Sequence, residues 1–403
     1  MGMHRIPTAH PIRTTVDNPF AARTMTHRLP ANIANVIRAH SDYPPAVTKA
    51  LEDLSAAISG DHPLPPPPLP AWDYDTWYAE YEPYAGDSWH DTEWFFAETY
   101  AFRLILSAGR YFETGIDPYG PMKAAELDSG APFLPIQRFF AAEGPAAPLL
   151  HGGSVSAEAA PALLEEALHL SMWGNKADIS FAAGGALDHS AGERELLLRD
   201  DSVAAAEILS GTRGPVHIIM DNSGAELAGD VVAALTIIRL TGAPVVLHPK
   251  LYPTYVSDTT VEDIHTYLAR AAASTDAAVR ALSSAVQAEF RSGALTIAPD
   301  DFWCTTRFLT MMPPRIETVL DGAGLVIVKG DFNYRRVFRD TIWSPGTEPT
   351  AAAGRTFPYP ILLLRTMKSD CLVGVPREIT EPLDTTEPGW RTAGRRGVIQ
   401  LVV

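Results

Sequence analysis

The sequence predicts an α/β protein: a three-layer α/β/α sandwich on a mainly parallel sheet, preceded by a helical N-terminal region. Three observations carry that expectation. Continuous apolar runs such as residues 215–220 and 324–328 lack the alternation of a strand with one wet face, so they read as strands covered on both sides. Segments with helical spacing separate these runs, which indicates a parallel sheet. The chain has 403 residues, 46% hydrophobic and 20% charged, enough for one large core or two closely packed ones. The boundaries read as a disordered lead-in over 1–18, a helical region over 19–170 and the α/β/α unit over 171–403.

Taken in order, residues 1–15 lack the apolar stretch of a secretory signal. Residues 19–60 read as helical, with Ile33, Val36 and Ile37 on one face. The run PLPPPPLP at 63–70 reads as an extended surface connector. Residues 72–112 are rich in Trp, Tyr and Phe, which suit a helical core packed by large rings. An Ala-rich stretch at 154–170 reads as another helix. Then come apolar strands at 215–220, 244–248, 324–328 and 360–364, with a fifth expected at 372–375. Between the first two, Leu227, Val231, Leu235 and Ile238 form one helical stripe that Gly242 ends. One further helix is expected over about 261–290.

No apolar run reaches the ~20 residues of a membrane span. The formal net charge is −16 with no basic stripe, which speaks against a nucleic-acid partner. Cys304 and Cys371 are far apart and read as small core residues of a reduced, cytoplasmic protein. Nothing in the sequence fixes the oligomeric state, and a monomer is the default reading.

The chemistry collects where ligands bind in such sheets, beyond the carboxyl ends of the strands. Asp221 and Asn222 end the first strand. His248, Lys250, Ser257 and Asp258 follow the second; Lys329, Asp331 and Asn333 the third; Arg365, Thr366 and Lys368 the fourth. Asp221, Asn222 and Asp258 offer oxygen donors suited to a hard divalent ion. Lys250, Lys329, Arg365 and Lys368 suit a phosphoryl group, and the combination points to metal-assisted phosphoryl transfer. Plainer readings stand beside these. Ser223 with Glu226 fits a helix capping box, and Thr260 with Asp263 resembles a helix start. His248 fits a satisfied core histidine, Asp230 a solvated or neighbour-bonded acid, and Arg335 and Arg336 surface charges. Asp221 resists such a reading, because an acid directly after a buried strand needs a partner.

Four ordered segments also resemble a known family. Residues 219–227 (IMDNSGAEL), 248–258 (HPKLYPTYVSD), 329–335 (KGDFNYR) and 365–368 (RTMK) are similar to the motifs of the damage-control phosphatase family, also called DUF89 or ARMT1-like, in its RTxK-bearing sugar-phosphate branch. Residues 20–37, Asp117 to Tyr119 with Lys123, residues 173–178, Trp390 and residues 397–400 extend the resemblance over nearly the whole chain. The sequence departs at 339–341, where Arg-Asp-Thr stands for Gly-Asp-Arg, and at Tyr119 and Thr254.

The resemblance implies a phosphatase for small phosphorylated metabolites such as fructose 1-phosphate or fructose 6-phosphate, using Mn, Ni, Co or Mg. By motif match, Asp221, Asn222 and Asp258 would hold the metal. Gly330, Asp331, Phe332, Asn333, Tyr334 and Lys368 would contact substrate, with Arg365 bracing or binding the phosphate. Lys250 joins the expected substrate-binding set, and Asn175, with Asp178, is a candidate at a lid-like domain junction. The nucleophile is either water or the Asp221 carboxylate. Two rivals stand behind this reading. An S-adenosylmethionine-dependent carboxyl methyltransferase lacks the expected glycine-rich cofactor turn, and a non-catalytic sugar-phosphate binder is favoured by no residue.

Overall fold

The computed structural model describes residues 9–174 and 194–403. Its centre is a seven-stranded sheet. The strands are β1 (Leu197–Asp200), β2 (Val216–Ile219), β3 (Val245–His248), β4 (Leu295–Ile297), β5 (Leu325–Lys329), β6 (Ile361–Thr366) and β7 (Gly397–Val402). Their spatial order is β1-β7-β6-β5-β2-β3-β4. All neighbours pair in parallel except β6 with β7. The expected mainly parallel sheet is therefore present, with a helical region ahead of it.

The apolar runs lie where they do because both faces of the sheet are covered. On β5, Val326 and Val328 pack into one apolar cluster, while Leu325 and Ile327 pack into the other. The first cluster holds the rings and helices of the N-terminal region, including Ile33, Val36, Trp77, Trp94 and Phe102. The second holds the helix Ala160–Trp173 and the stripe Leu227, Val231, Leu235 and Ile238. A strand dry on both sides has no polar alternation to show. Both cysteines are free and buried. No helix of the described residues is long and apolar enough to cross a membrane.

Three elements differ from expectation. Residues 372–375 do not form a strand. The slot beside β6 belongs to β7, and side chains bind the backbone of this segment instead. The Val373 N–H donates to the Tyr334 hydroxyl (3.0 Å), and the Val373 carbonyl accepts from Gln400 Nε2 (3.0 Å). The expected long helix is two, Val261–Ala272 and Ala277–Ser292, the second capped at its start by Asp276. Strands β1, β4 and β7 complete the sheet at positions that carry no long apolar run.

The helices that bear on the site are α1 (Leu29–Ala39), α2 (Trp94–Ala108), α3 (Gly120–Asp128), α4 (Ala225–Thr241) and α5 (Gly330–Val337). Alpha-helix α1 is entered through a π-helical turn, Thr24–Arg28.

Candidate functional site

The carboxyl ends of β2, β3 and β5 are level, because Ile219 registers with both His248 and Val328. The chain leaving β2 then pairs with the loop ahead of Val261. Ser223 N–H donates to the Ser257 carbonyl (2.6 Å), and Thr259 N–H to the Asp221 carbonyl (2.7 Å). An isolated antiparallel bridge sets Asn222 opposite Asp258. Two residues far apart in sequence are thus fixed side by side by main-chain bonds.

Each of the three has a separate support. Asn222 Nδ2 donates to Asp221 Oδ2 (3.0 Å) and Glu226 Oε2 (2.9 Å), and its Oδ1 accepts from Ser257 Oγ (2.8 Å). The Asp258 carbonyl accepts from Lys123 Nζ (3.0 Å). Asp258 Oδ2 lies 3.2 Å from Lys250 Nζ, and it is buried with no hydrogen bond. Gly330, at φ +80°, lets α5 start directly against Asp221; a Cβ there would meet Asp221 Oδ2 at 1.9 Å. No side chain fits that gap, so glycine is required.

Burial pushes the Asp221 carboxyl well above the usual range, and Asp258 and Glu226 add to the push against Lys250 and Lys368. Burial raises Asp258 as well, with Lys250 opposing. Asp331 goes the other way. Burial would raise it, but Arg365, Arg335 and the Lys368 N–H outweigh that and hold it low.

These residues face a cavity of about 290 Å³. The sheet side contributes Asp221, Asn222, Asp258, Asp331, Phe332 and Lys368. The helical side contributes Arg28, Asn32, Trp94, Glu98 and Phe102. Tyr255 closes the join, packed on Phe332 (4.7 Å between rings) and Phe102 (4.6 Å).

Several expected contact residues stand behind the rim and do not line the cavity. Lys250 is fully buried and binds the Met220 carbonyl (3.2 Å) and Asp258. Asn333 Nδ2 donates to the carbonyls of Met220 (3.1 Å) and Lys329 (2.9 Å). Tyr334 donates to Gln400 Oε1 (3.2 Å). Arg365 is buried against Asp331 (2.6 Å) and Ser369 Oγ (2.8 Å), so it braces the loop that presents Lys368. Lys329 pairs with Asp230 (2.8 Å) and Glu226 (3.3 Å), away from the rim. Asp230 is therefore bonded to neighbours, Ser171 Oγ (2.6 Å) included. Asn175 and Asp178 lie outside the described residues.

Two plainer expectations are corrected. Ser223 does not cap α4: its Oγ is buried without a partner, and Gly224 is the N-cap. The Ala225 N–H is met instead by Glu126 Oε1 from α3 (3.1 Å). Glu226 is then free to orient Asn222. Arg335 and Arg336 are not surface charges. Arg335 is buried on the Trp94 ring (3.7 Å) between Glu98 and Asp340, and Arg336 binds the carbonyls of Trp303 and Thr305. The Thr260–Asp263 capping box is present, and His248 is a satisfied core residue, bonded to His217 (2.9 Å) and the Ala298 carbonyl (3.1 Å).

Among the described residues, no group of three or more His, Cys, Asp or Glu side chains is placed to hold a metal ion. The donors at the rim are two carboxylates and one amide. Their fit to a hard divalent ion rests on two observations. Asp221 and Asp258 repel one another, and a buried Asp258 oxygen is left without a hydrogen bond. A cation among them relieves both.

Residues missed in the sequence are Arg28, Asn32, Trp94, Glu98 and Phe102 on the helical side, and Glu226 as the support of Asn222. For Arg28 the resemblance of residues 20–37 was a signal, though without a role.

The model of the family described as the damage-control phosphatase ARMT1-like domain matches residues 24–382. The chain is 28% identical over 345 residues to the damage-control phosphatase ARMT1 of Xenopus laevis, covering 78% of this chain and 76% of that protein. It is 27% identical over 252 residues to the protein of the same name from Homo sapiens, covering 58% of this chain and 57% of that one. Among solved structures it is similar to a DUF89 family protein from Pyrococcus horikoshii, at 12% identity and a TM-score of 0.48, covering 93% of this chain and 97% of that one. With the family model spanning most of its length, the chain belongs to the damage-control phosphatase ARMT1-like family.

Proposed function

We propose that this protein is a divalent-metal-dependent phosphatase acting on small phosphorylated metabolites, sugar phosphates such as fructose 1-phosphate or fructose 6-phosphate. One observation carries the reading. Asp221, Asn222 and Asp258 gather around a small cavity that also holds Lys368, whose ammonium makes no hydrogen bond or ion pair with the described residues. The relatives named as damage-control phosphatases support it.

Asp221, Asn222 and Asp258 would hold Mn, Ni, Co or Mg, which supplies Lewis-acid neutralisation of phosphoryl charge. The chain's own residues do the rest. Glu226 fixes the Asn222 amide, and Lys250 pairs with Asp258 and opposes the upward push of burial on its carboxyl. Lys368 offsets charge on the non-bridging oxygens. Its position is set by Asp331, which accepts its N–H (3.0 Å) and is held in turn by Arg365. Phe332 and Tyr255 limit access of bulk water to this end of the cavity. The reaction is hydrolysis: water forms the new P–O bond, the ester P–O bond breaks, and the alcohol leaves with a proton. Asp221 acts in this scheme as a ligand.

The test is phosphate release from a panel of sugar phosphates with Mn, Ni, Co or Mg, and with EDTA, for wild type and Asp221→Ala. Metal-dependent release that is lost in the variant is the expected result. Absence of release with every metal and ester overturns the reading.

A further inference from the structure

The helical wall of the cavity carries side chains to which the proposed chemistry gives no task. Arg28, Asn32 and Trp94 all line it. Arg28 closes the π-helical turn Thr24–Arg28, and Asn32 follows one turn later on α1. Residues four apart on a helix share a face, and π turns are rare in helices and frequent at functional sites.

The guanidinium of Arg28 is held by Glu98, which is completely buried. The second oxygen of Glu98 accepts from Arg335 Nη1 (2.7 Å) and from the Tyr255 hydroxyl (3.4 Å). Arg28 is thus oriented and charge-compensated, yet its side chain stays 42% exposed. A guanidinium has five N–H donors in a fixed fork, and a carboxylate it shares with Arg335 cannot occupy them all. Trp94 is 1% exposed, and its indole N–H has no acceptor. That N–H has no accessible surface, so Trp94 backs the wall without donating into the cavity.

We propose that Arg28, with Asn32, determines specificity by binding the hydroxyl-bearing remainder of a phosphorylated polyol. This rests on the phosphatase reading, because that reading puts the phosphoryl group at Asp221, Asn222, Asp258 and Lys368. The rest of the substrate then lies along the opposite wall. That wall presents donors: the Arg28 fork and the Asn32 amide. Hydroxyl oxygens accept from both. Glu98 already neutralises Arg28, so the wall matches a neutral polyol and not a second phosphate.

The experiment compares kcat/KM for fructose 6-phosphate with kcat/KM for p-nitrophenyl phosphate, which has no hydroxyls, using the metal-loaded full chain. In Arg28→Ala the ratio of the two is expected to fall about tenfold, through KM for the sugar phosphate, as the loss of hydrogen bonds to substrate hydroxyls implies. Asn32→Ala should lower the ratio about threefold. Arg28→Met, which keeps the stem and removes every donor, gives the same reading if the alanine variant folds poorly. An unchanged ratio in Arg28→Ala, or in Arg28→Met where that stands in, overturns the assignment alone. A wild type inactive on every ester overturns the phosphatase reading and this inference with it.

Discussion

On the sheet side of the cavity, Asp221, Asn222 and Lys368 each sit one to three residues past a strand, and Asp258 is bridged to Asn222. On the helical side, Arg28 comes from the π-helical turn ahead of α1, Trp94 and Glu98 come from α2, and the two elements meet only by tertiary contact. The first wall is built by local continuation of the sheet, the second by tertiary contact. The difference teaches that the sheet-side wall is locally encoded, while the wall that faces it depends on the whole core.

Variants can break this comparison or sharpen it. The largest effect belongs to the rim. Asp221→Asn should abolish phosphate release, by roughly a thousandfold or more. The same variant should raise Tm in EDTA, since it replaces a buried carboxyl whose charged form burial, Asp258 and Glu226 disfavour. Loss of both activity and stability would show that the rim is also structural.

The second effect belongs to the join. Glu98→Ala leaves Arg335 buried with only Asp340 and leaves Arg28 unheld. Removing one partner of a buried pair costs about 3 kcal/mol or more, readable as a lower urea midpoint. A change below ~0.5 kcal/mol would mean that the two walls are energetically independent.

A third variant separates support from contact. Glu226→Ala removes the acceptor that orients Asn222 Nδ2. A drop of roughly tenfold to a hundredfold in apparent metal affinity is expected, measured by metal titration of activity. An unchanged titration would place Asn222 outside the metal set.

The smallest effect lies beneath the rim, in the His217–His248 pair. Burial lowers His217 from its ordinary 6.5 to about 4. Burial, with His217 as neighbour, lowers His248 to about 3. The unfolded chain takes up protons near pH 6.5 that the folded chain refuses. The pair's favourable contribution is therefore intact above about pH 6.5 and declines as pH falls. For each of the two histidines, stability should drop by on the order of 2 kcal/mol between pH 7 and pH 5. His248→Gln should flatten that slope in thermal melts taken across the range.

The sequence made the central strands legible because residues 216–219, 245–248, 325–329 and 361–366 are nearly uninterrupted apolar runs. It hid β1 and β4, which are short edge strands carrying Arg199 and Thr296. Residues 372–375 have strand-like composition, and nothing local reveals that Tyr334 and Gln400 bind that backbone. The position of Asp221, Asn222 and Lys368 at the rim could be read because a strand end fixes where the next residue goes. Which way Lys250, Lys329 and Arg365 point could not be read, because their carboxylate partners come from other elements. Arg335 and Arg336 looked solvated for the same reason: the rings that cover them, Trp94 and Phe302, lie far away in the chain.

The carboxylate of Glu98, shared between Arg28 and Arg335, has a consequence for how this architecture changes over time. Neither arginine can be exchanged while Glu98 is kept without stranding a charge in the interior. A chimera that takes the helical region from one relative and the sheet region from another inherits a matched wiring only if both parents carry all three residues. Across relatives these positions are expected to drift as a group, so a lineage that acquires a new substrate has to rewrite them together.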